Sequence, residues 1–256
     1  MTLPIAAKGK TTVTGWPRSG NLLTGTLQPC NLSGQRGHGV LSPSGNDTWG
    51  ASEMDIPFYC KEDSNDCGCA PVCLKMALAY FHTEVPIKKI YGRAGSLGEV
   101  HYTLPWGICL AAECYGLCAT FISKQPDVLL ESSIADINVF VPELSPEDVQ
   151  DRIQGQLTTC RESPTVALLE WSDPCRTLPQ RLVTEETAVV IPTVWWGRQP
   201  HNVVLTDFGG DAVVYHDPNL EDGENQTMPL PAFYERWIHR CTDNDLLLIS
   251  RTAVCI

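Results

Sequence analysis

The feature that most constrains this chain is a proline at position 71, inside the run Asp66-Cys67-Gly68-Cys69-Ala70-Pro71-Val72-Cys73-Leu74. Proline has no N–H, so a helix accepts it without loss only in the first turn. The residues around it predict such a helix over 68–81: Ala70, Cys73, Ala77 and Tyr80–Phe81 recur at helical spacing, with Lys75 off that stripe. With Pro71 no later than the fourth helical position, the first helical residue is Gly68 or later, and Cys67 falls at or near the N-cap. Unpaired N–H groups and the positive end of the helix dipole surround a thiol there and lower its pKa. Gly68 would let a substrate carbonyl approach the backbone, with the Cys67 N–H as an oxyanion donor. Two other readings stand beside this one. Cys67 can be one more core cysteine, and Cys67, Cys69 and Cys73 together suggest a metal site, although no second ligand pair follows at zinc spacing.

The chain around this segment is globular in composition. Its 256 residues are 43% hydrophobic and 19% charged, and a chain of that length buries roughly three quarters of its unfolded surface. Its net charge of -12, with the 18 Lys and Arg never gathered into a run, disfavours nucleic acid and an anionic membrane surface as partners. No stretch reaches the roughly 18 apolar residues of a membrane helix. The N-terminus lacks the apolar core of a signal peptide, so the expected location is cytoplasmic. Twelve cysteines in such a setting read mostly as small buried hydrophobes. No cofactor is implied, and the oligomeric state stays open.

Two regions differ in texture. Residues 1–53, rich in Gly, Ser, Thr, Pro and Asn without periodicity, read as an irregular extension of a domain spanning 54–256. Within that domain, 104–116 reads as a helix ended by Gly116, 118–123 and 137–144 as strands, and 145–157 as a helix capped by Ser145 with Asp148 completing a box. Residues 165–171, 187–196, 201–208, 212–218 and 245–254 are apolar or β-branched runs, interrupted by a short helix at 230–238. Helices followed by antiparallel strands make an α+β layout.

His201 opens one of these runs and Asp217 closes the next, with Phe208-Gly209-Gly210 between them. A three-residue hairpin loop with glycine in the left-handed position would pair Leu205 with Val213, Val203 with Tyr215 and His201 with Asp217. Facing Cβ atoms then lie about 4.5–5.5 Å apart, close enough for the carboxylate to fix the histidine tautomer and leave the other ring nitrogen for a thiol. A two-residue loop at Gly209-Gly210 would put Asp217 on the opposite face. His216 and His38 have no facing carboxylate that the sequence supplies.

Residues 66–81, together with 201–208 and 213–219, resemble the nucleophile, histidine and Asp-Pro segments of the bacteriocin-processing, double-glycine leader peptidases. Residues 230–237 and 245–250 resemble that family's closing helix and strand. The resemblance implies a papain-like fold, with a helical lobe bearing the nucleophile Cys67 packed on an antiparallel sheet lobe bearing His201 and Asp217. It implies thiol-dependent acyl transfer, in the first place hydrolysis of a peptide or amide bond, with a peptide, amide or acyl-thioester substrate and no metal. Where the family has an oxyanion-binding glutamine, six residues before the cysteine, stands Lys61, followed by Glu62. Lysine can donate to an oxyanion, as a flexible point charge. Relatives of this fold include acyltransferases that use carrier thioesters, and a binding module without chemistry is the reading from another class. The run at 241–250 also resembles the end of proteins labelled guanylyl cyclases, but no phosphate-binding glycine loop accompanies it. Trp106, Trp171, Trp195 and Trp196 are candidates either for the core or for a substrate groove.

Overall fold

A computed structural model of the chain describes residues 54–62, 67–126, 131–171, 176–197, 199–239, 242 and 244–254. The extension expected over residues 1–53, with His38, lies outside the described residues.

The proline sets where the first helix begins. α1 (Cys69–Tyr80) has Gly68 as N-cap, so Pro71 is its third residue and loses no helical bond. The helix therefore opens two residues after Cys67. Val72, Cys73, Leu74, Met76, Ala77 and Leu78 are all buried, an apolar surface wider than the stripe seen in the sequence. α2 (Ile87–Ala94), not expected from the sequence, ends on Gly95 in the left-handed region at φ 60°. α3 (Pro105–Cys114) starts with proline and is closed by Gly116 at φ 80°. α2 and α3 cross at Gly107, where any Cβ would overlap the Ala94 carbonyl oxygen.

After β1 (Cys118–Ser123) comes α4 (Glu131–Phe140), which corrects the strand expected over 137–144. A strand would put Ile137, Val139 and Val141 on one face. The structure buries Ile137 and Val141 but leaves Val139 76% exposed, and the Val141 N–H donates to Ile137 O at 3.1 Å. The spacing was helical, four residues and not two. α5 (Pro146–Glu162) carries the capping box: Ser145 Oγ accepts from the Asp148 N–H at 3.1 Å, and Asp148 returns to the Ser145 N–H. Then follow β2 (Val166–Glu170), α6 (Thr177–Thr184), β3 (Val189–Trp196), β4 (Gln199–Asn202), β5 (Val204–Gly209), β6 (Ala212–His216), β7 (Gln226–Pro229), α7 (Leu230–Trp237) and β8 (Leu246–Ser250).

The strands form one mixed sheet in the order β2-β1-β8-β3-β5-β6-β7, with β4 also on β3. β1 and β2 run parallel and the other pairs antiparallel, so the architecture is α+β, with a sheet not wholly antiparallel as expected. β4 and β5 continue one line against β3: Val194 faces His201 and Val190 faces Leu205. The line breaks at Val203, which donates to Pro192 O at 3.4 Å while the proline has no N–H to return. α1 packs on α2 and α3 and also reaches β4. That contact, together with α3 on β1 and α5 on β2, joins the helical lobe to the sheet. Among the described residues no helix is long and apolar enough to cross a membrane.

Candidate active site

The site lies where the start of α1 meets β4. His201, on β4, is 2% exposed, and its Nε2 lies 2.8 Å from Asp217 Oδ1. A carboxylate only accepts, so Nε2–H donates and Nδ1 is left for a partner on the other side. Asp217 is 2% exposed and sits in a tight loop after β6. Its N–H donates to Gly223 O at 2.8 Å, and its Oδ1 also accepts the Asn219 N–H at 2.9 Å. Gly223 allows this closure because a Cβ there would overlap the Asp217 carbonyl oxygen.

The route to this pairing differs from the hairpin expected. The turn between β5 and β6 is two residues, Gly210-Asp211, between Gly209 and its partner Ala212. A bulge at Thr206 then shifts the register, so that Leu205 faces Tyr215 and Val204 faces His216. The bulge coincides with Thr206 O accepting from the Met54 N–H at 3.1 Å, a contact from a distant segment that no local pattern in the sequence contains. The expected partners Val213 for Leu205 and Tyr215 for Val203 are therefore wrong, although the two side chains meet.

The thiol bonded to the imidazole is that of Cys69. Partial burial pushes this thiol up. The hydrogen bond from His201 and its charge, with the Asn202 backbone and the Lys61 charge, outweigh burial and hold it below the ordinary thiol value. Burial pulls His201 down, but the bonds to Asp217 and to Cys69 raise it to about 9. Asp217, which burial would raise, is held below the usual carboxylate range by His201, the Asn219 N–H and Lys61. Cys69 Sγ also lies 3.7 Å from Asn202 Oδ1, whose Nδ2 donates to Thr193 Oγ1 at 3.0 Å. As the first helical residue, Cys69 has an N–H with no acceptor in its own helix.

Cys67 stands two residues before α1, and its N–H donates to Val100 O at 2.7 Å. That amide is engaged with the backbone of the segment before α3, so it is not the oxyanion donor the sequence suggested. Lys61 is anchored by its N–H to Pro218 O at 2.8 Å, and its charge acts on both Cys69 and Asp217. His216 is buried and structural in its bonds: Nε2 pairs with Ile56 O at 2.8 Å and Nδ1 accepts the Asn225 N–H at 3.0 Å. Asn219 and Asn202 were not expected from the sequence: the loop after β6 brings Asn219 to the dyad, and Asn202, next to His201 on β4, meets Cys69 only through the packing of α1 on that strand. Cys73, fully buried, is pushed well above the ordinary thiol value by burial and by the charges of Cys69 and Asp217, which makes it inert.

Of the four tryptophans named from the sequence as core or groove candidates, Trp106 and Trp171 are buried, and Trp195 stacks on His239. Trp196 lies edge-on to His201, with ring centroids 6.3 Å apart, under the Arg236 guanidinium at 4.2 Å. A cleft of about 500 Å³ opens beside α1, lined among others by Cys60, Glu62, Val72, Lys75, Tyr91 and Val100. The eight described cysteines form no disulfide. Among the described residues no three His, Cys, Asp or Glu side chains gather as a metal ligand set.

No family model matches the chain, and no curated protein matches it. Among solved structures it is similar to a double glycine motif protease from an AMS/PCAT transporter, solved in complex with the leader peptide. That similarity has a TM-score of 0.44 and 17% identity over 77% of this chain and 92% of the other. It is also similar to the peptidase domain of Streptococcus ComA, a bifunctional ABC transporter of a quorum-sensing pathway, at a TM-score of 0.43 and 11% identity over 76% and 98%. At these scores the roles of the site residues rest on this chain's own geometry.

Proposed function

We propose that this protein is a cysteine hydrolase acting on a peptide or amide bond, with Cys69 as nucleophile, His201 as base and Asp217 as its orienter. The observation that carries this reading is that His201 bonds Asp217 Oδ1 through Nε2 at 2.8 Å and also bonds the Cys69 thiol at the start of α1. The thiol is lowered and the imidazole raised, the combination that favours a thiolate–imidazolium pair. In this scheme the thiolate attacks the carbonyl carbon, and the carbonyl electron pair moves onto oxygen. The Cys69 N–H and the Lys61 charge stabilise that oxyanion. The Nδ1 proton passes to the leaving amine, and the acyl-enzyme forms. Water, giving its proton back to Nδ1, then releases the acid and restores the thiol. The resemblance of 66–81, 201–208 and 213–219 to double-glycine leader peptidases supports a peptide as substrate.

The reading moves the nucleophile from Cys67 to Cys69, and the two are separable. The full chain, incubated with leader-type peptides and with acyl thioesters, is followed by intact mass and peptide mapping. Iodoacetamide is added in parallel at pH 6–7. Cys69 should carry the acyl adduct and alkylate ahead of every other cysteine. Cys69→Ser should abolish turnover, a loss of several orders of magnitude, while Cys67→Ser should keep it within about threefold, the range of a surface change away from the chemistry. An adduct on Cys67 would return the nucleophile to that residue, and no adduct on either would end the enzyme reading. Adducts from thioesters alone would shift the chemistry to acyl transfer.

A further inference from the structure

One contact at the dyad is not used by the mechanism above. Asn219 Nδ2 lies 3.2 Å from His201 Nδ1, the nitrogen that must receive the Cys69 proton. An amide nitrogen only donates, so this bond exists only while Nδ1 is unprotonated. We infer that Asn219 is a positioning residue that holds the His201 base nitrogen in its unprotonated state and so sets the pH at which the Cys69–His201 pair becomes an ion pair. The inference rests on the assignment of that pair in the preceding subsection.

The geometry is specific. The Asn219 backbone N–H and the His201 Nε2–H both bond Asp217 Oδ1, at 2.9 and 2.8 Å. One residue thus touches the orienting carboxylate with its backbone and the base nitrogen with its side chain. The loop that presents it is closed by Asp217 N–H to Gly223 O and by Leu220 N–H to Asp217 O. Asn219 is otherwise exposed, so its amide can leave Nδ1 when a substrate fills the space beside the thiol. Protonating Nδ1 forfeits this bond and sets two N–H groups against each other. Asn219 therefore opposes the imidazolium that Asp217 and the Cys69 thiolate favour. The other groups facing His201 are Cys69 from α1 and the Trp196 ring from β3. Beyond them, Lys61 acts on Cys69 and Asp217, Asp217 on Tyr215 and Cys73, and Arg236 on Tyr215 while lying over Trp196. Of these groups, Cys69 is the one that bonds the His201 ring together with Asn219 and Asp217.

The test is the pH dependence of iodoacetamide alkylation at Cys69 in the full chain, mapped by peptide mass, for wild type, Asn219→Leu, Asn219→Ala and Asn219→Asp. Removing the donor should move the midpoint down by roughly half to one pH unit, the worth of one hydrogen bond. Asn219→Asp, which replaces a donor by an acceptor, should move it further. The plateau rate and the melting temperature should stay close to wild type, which a merely structural role would not combine with a moved midpoint. A midpoint unchanged to within roughly 0.2 unit in all three variants would overturn the inference. So would a rise, since it would mean that the amide supports the imidazolium through its oxygen. Both results leave the Cys69–His201–Asp217 reading standing if wild-type Cys69 still alkylates at low pH. An ordinary thiol curve for wild-type Cys69 would instead bring down that reading and this inference with it.

Discussion

The two sides of the site are held by different means. On the sheet side, His201 and Asp217 are each 2% exposed and held by several independent bonds: β4 against β3, the loop closed on Gly223, and, from a distant segment, Lys61 N–H on Pro218 O. On the helix side, the partly exposed Cys69 owes its place to one local fact, the residue at which α1 begins. The sheet side is over-determined, and a change of one contact leaves the rest. The helix side is set by a start point, and a shift of two residues exchanges one cysteine for another. A preorganised acceptor facing a less constrained thiol is a contrast that mutation can probe.

The largest effect expected on the sheet side comes from Asp217→Asn. The amide keeps the shape but favours the wrong tautomer of His201, and in serine triads the same change removes about four orders of magnitude. Turnover should fall by about a thousandfold or more, with the fold retained. The pH dependence should change with it. His201 is raised to about 9, so its contribution to stability is full below the unfolded value near 6.5 and is lost as pH rises through about 9. Asp217 is lowered, so its contribution is present above the unfolded carboxyl value and is lost as pH falls through its own. In the variant the alkaline limb of Cys69 reactivity should retreat from about 9 toward the ordinary imidazole value. A variant that keeps the limb near 9 would show that Asp217 does not hold the base.

The same contrast explains what the sequence could reveal. Pro71 told where a helix must start to within a few residues, and the α+β order and the meeting of His201 with Asp217 were legible. The exact start was not, because Gly68 and Cys69 satisfy the proline equally. The hairpin register failed for a similar reason: the Thr206 carbonyl is taken by Met54, about 150 residues away in sequence, and a bulge follows. α4 was read as a strand because its apolar residues alternate as well as recur at four, and burial alone settles which period counts. Contacts from outside the local sequence decided the register and the period.

Two glycines sharpen the comparison at a smaller scale. Gly223→Ala forces a methyl into the Asp217 carbonyl, and Gly107→Ala forces one into the Ala94 carbonyl at the α2–α3 crossing. Both overpack by about the same volume, which costs about 1–3 kcal/mol. Their functional results should differ. Gly223→Ala moves the loop that carries Asp217 and Asn219, and a displacement of that order costs about a hundredfold in rate. Gly107→Ala should lower the melting temperature while activity per folded molecule stays near wild type. Equal losses of activity in the two would mean that the helical lobe positions the site as tightly as the sheet does.

The smallest effect should come from the helical lobe's surface, at Ser145→Ala. Ser145 Oγ accepts the Asp148 N–H at 3.1 Å and lies 2.7 Å from Asp148 Oδ2, while the Asp148 carboxylate also takes the Ser145 N–H at 3.4 Å. Alanine removes the first two of these and leaves one helical N–H at the start of α5 to water. The loss is about 1 kcal/mol, as for other N-caps. The box is exposed, so solvent replaces part of what is lost and no buried donor is stranded. α5 packs mainly on α3, α4 and β2, so the start of α1 keeps its place and Cys69 its reactivity. Chemical denaturation should therefore show a lower midpoint with an unchanged slope, and the pH curve of Cys69 alkylation should superimpose on wild type. A shifted curve would mean that the helix start at Cys69 depends on the whole helical lobe, and that the local account of the nucleophile is too narrow.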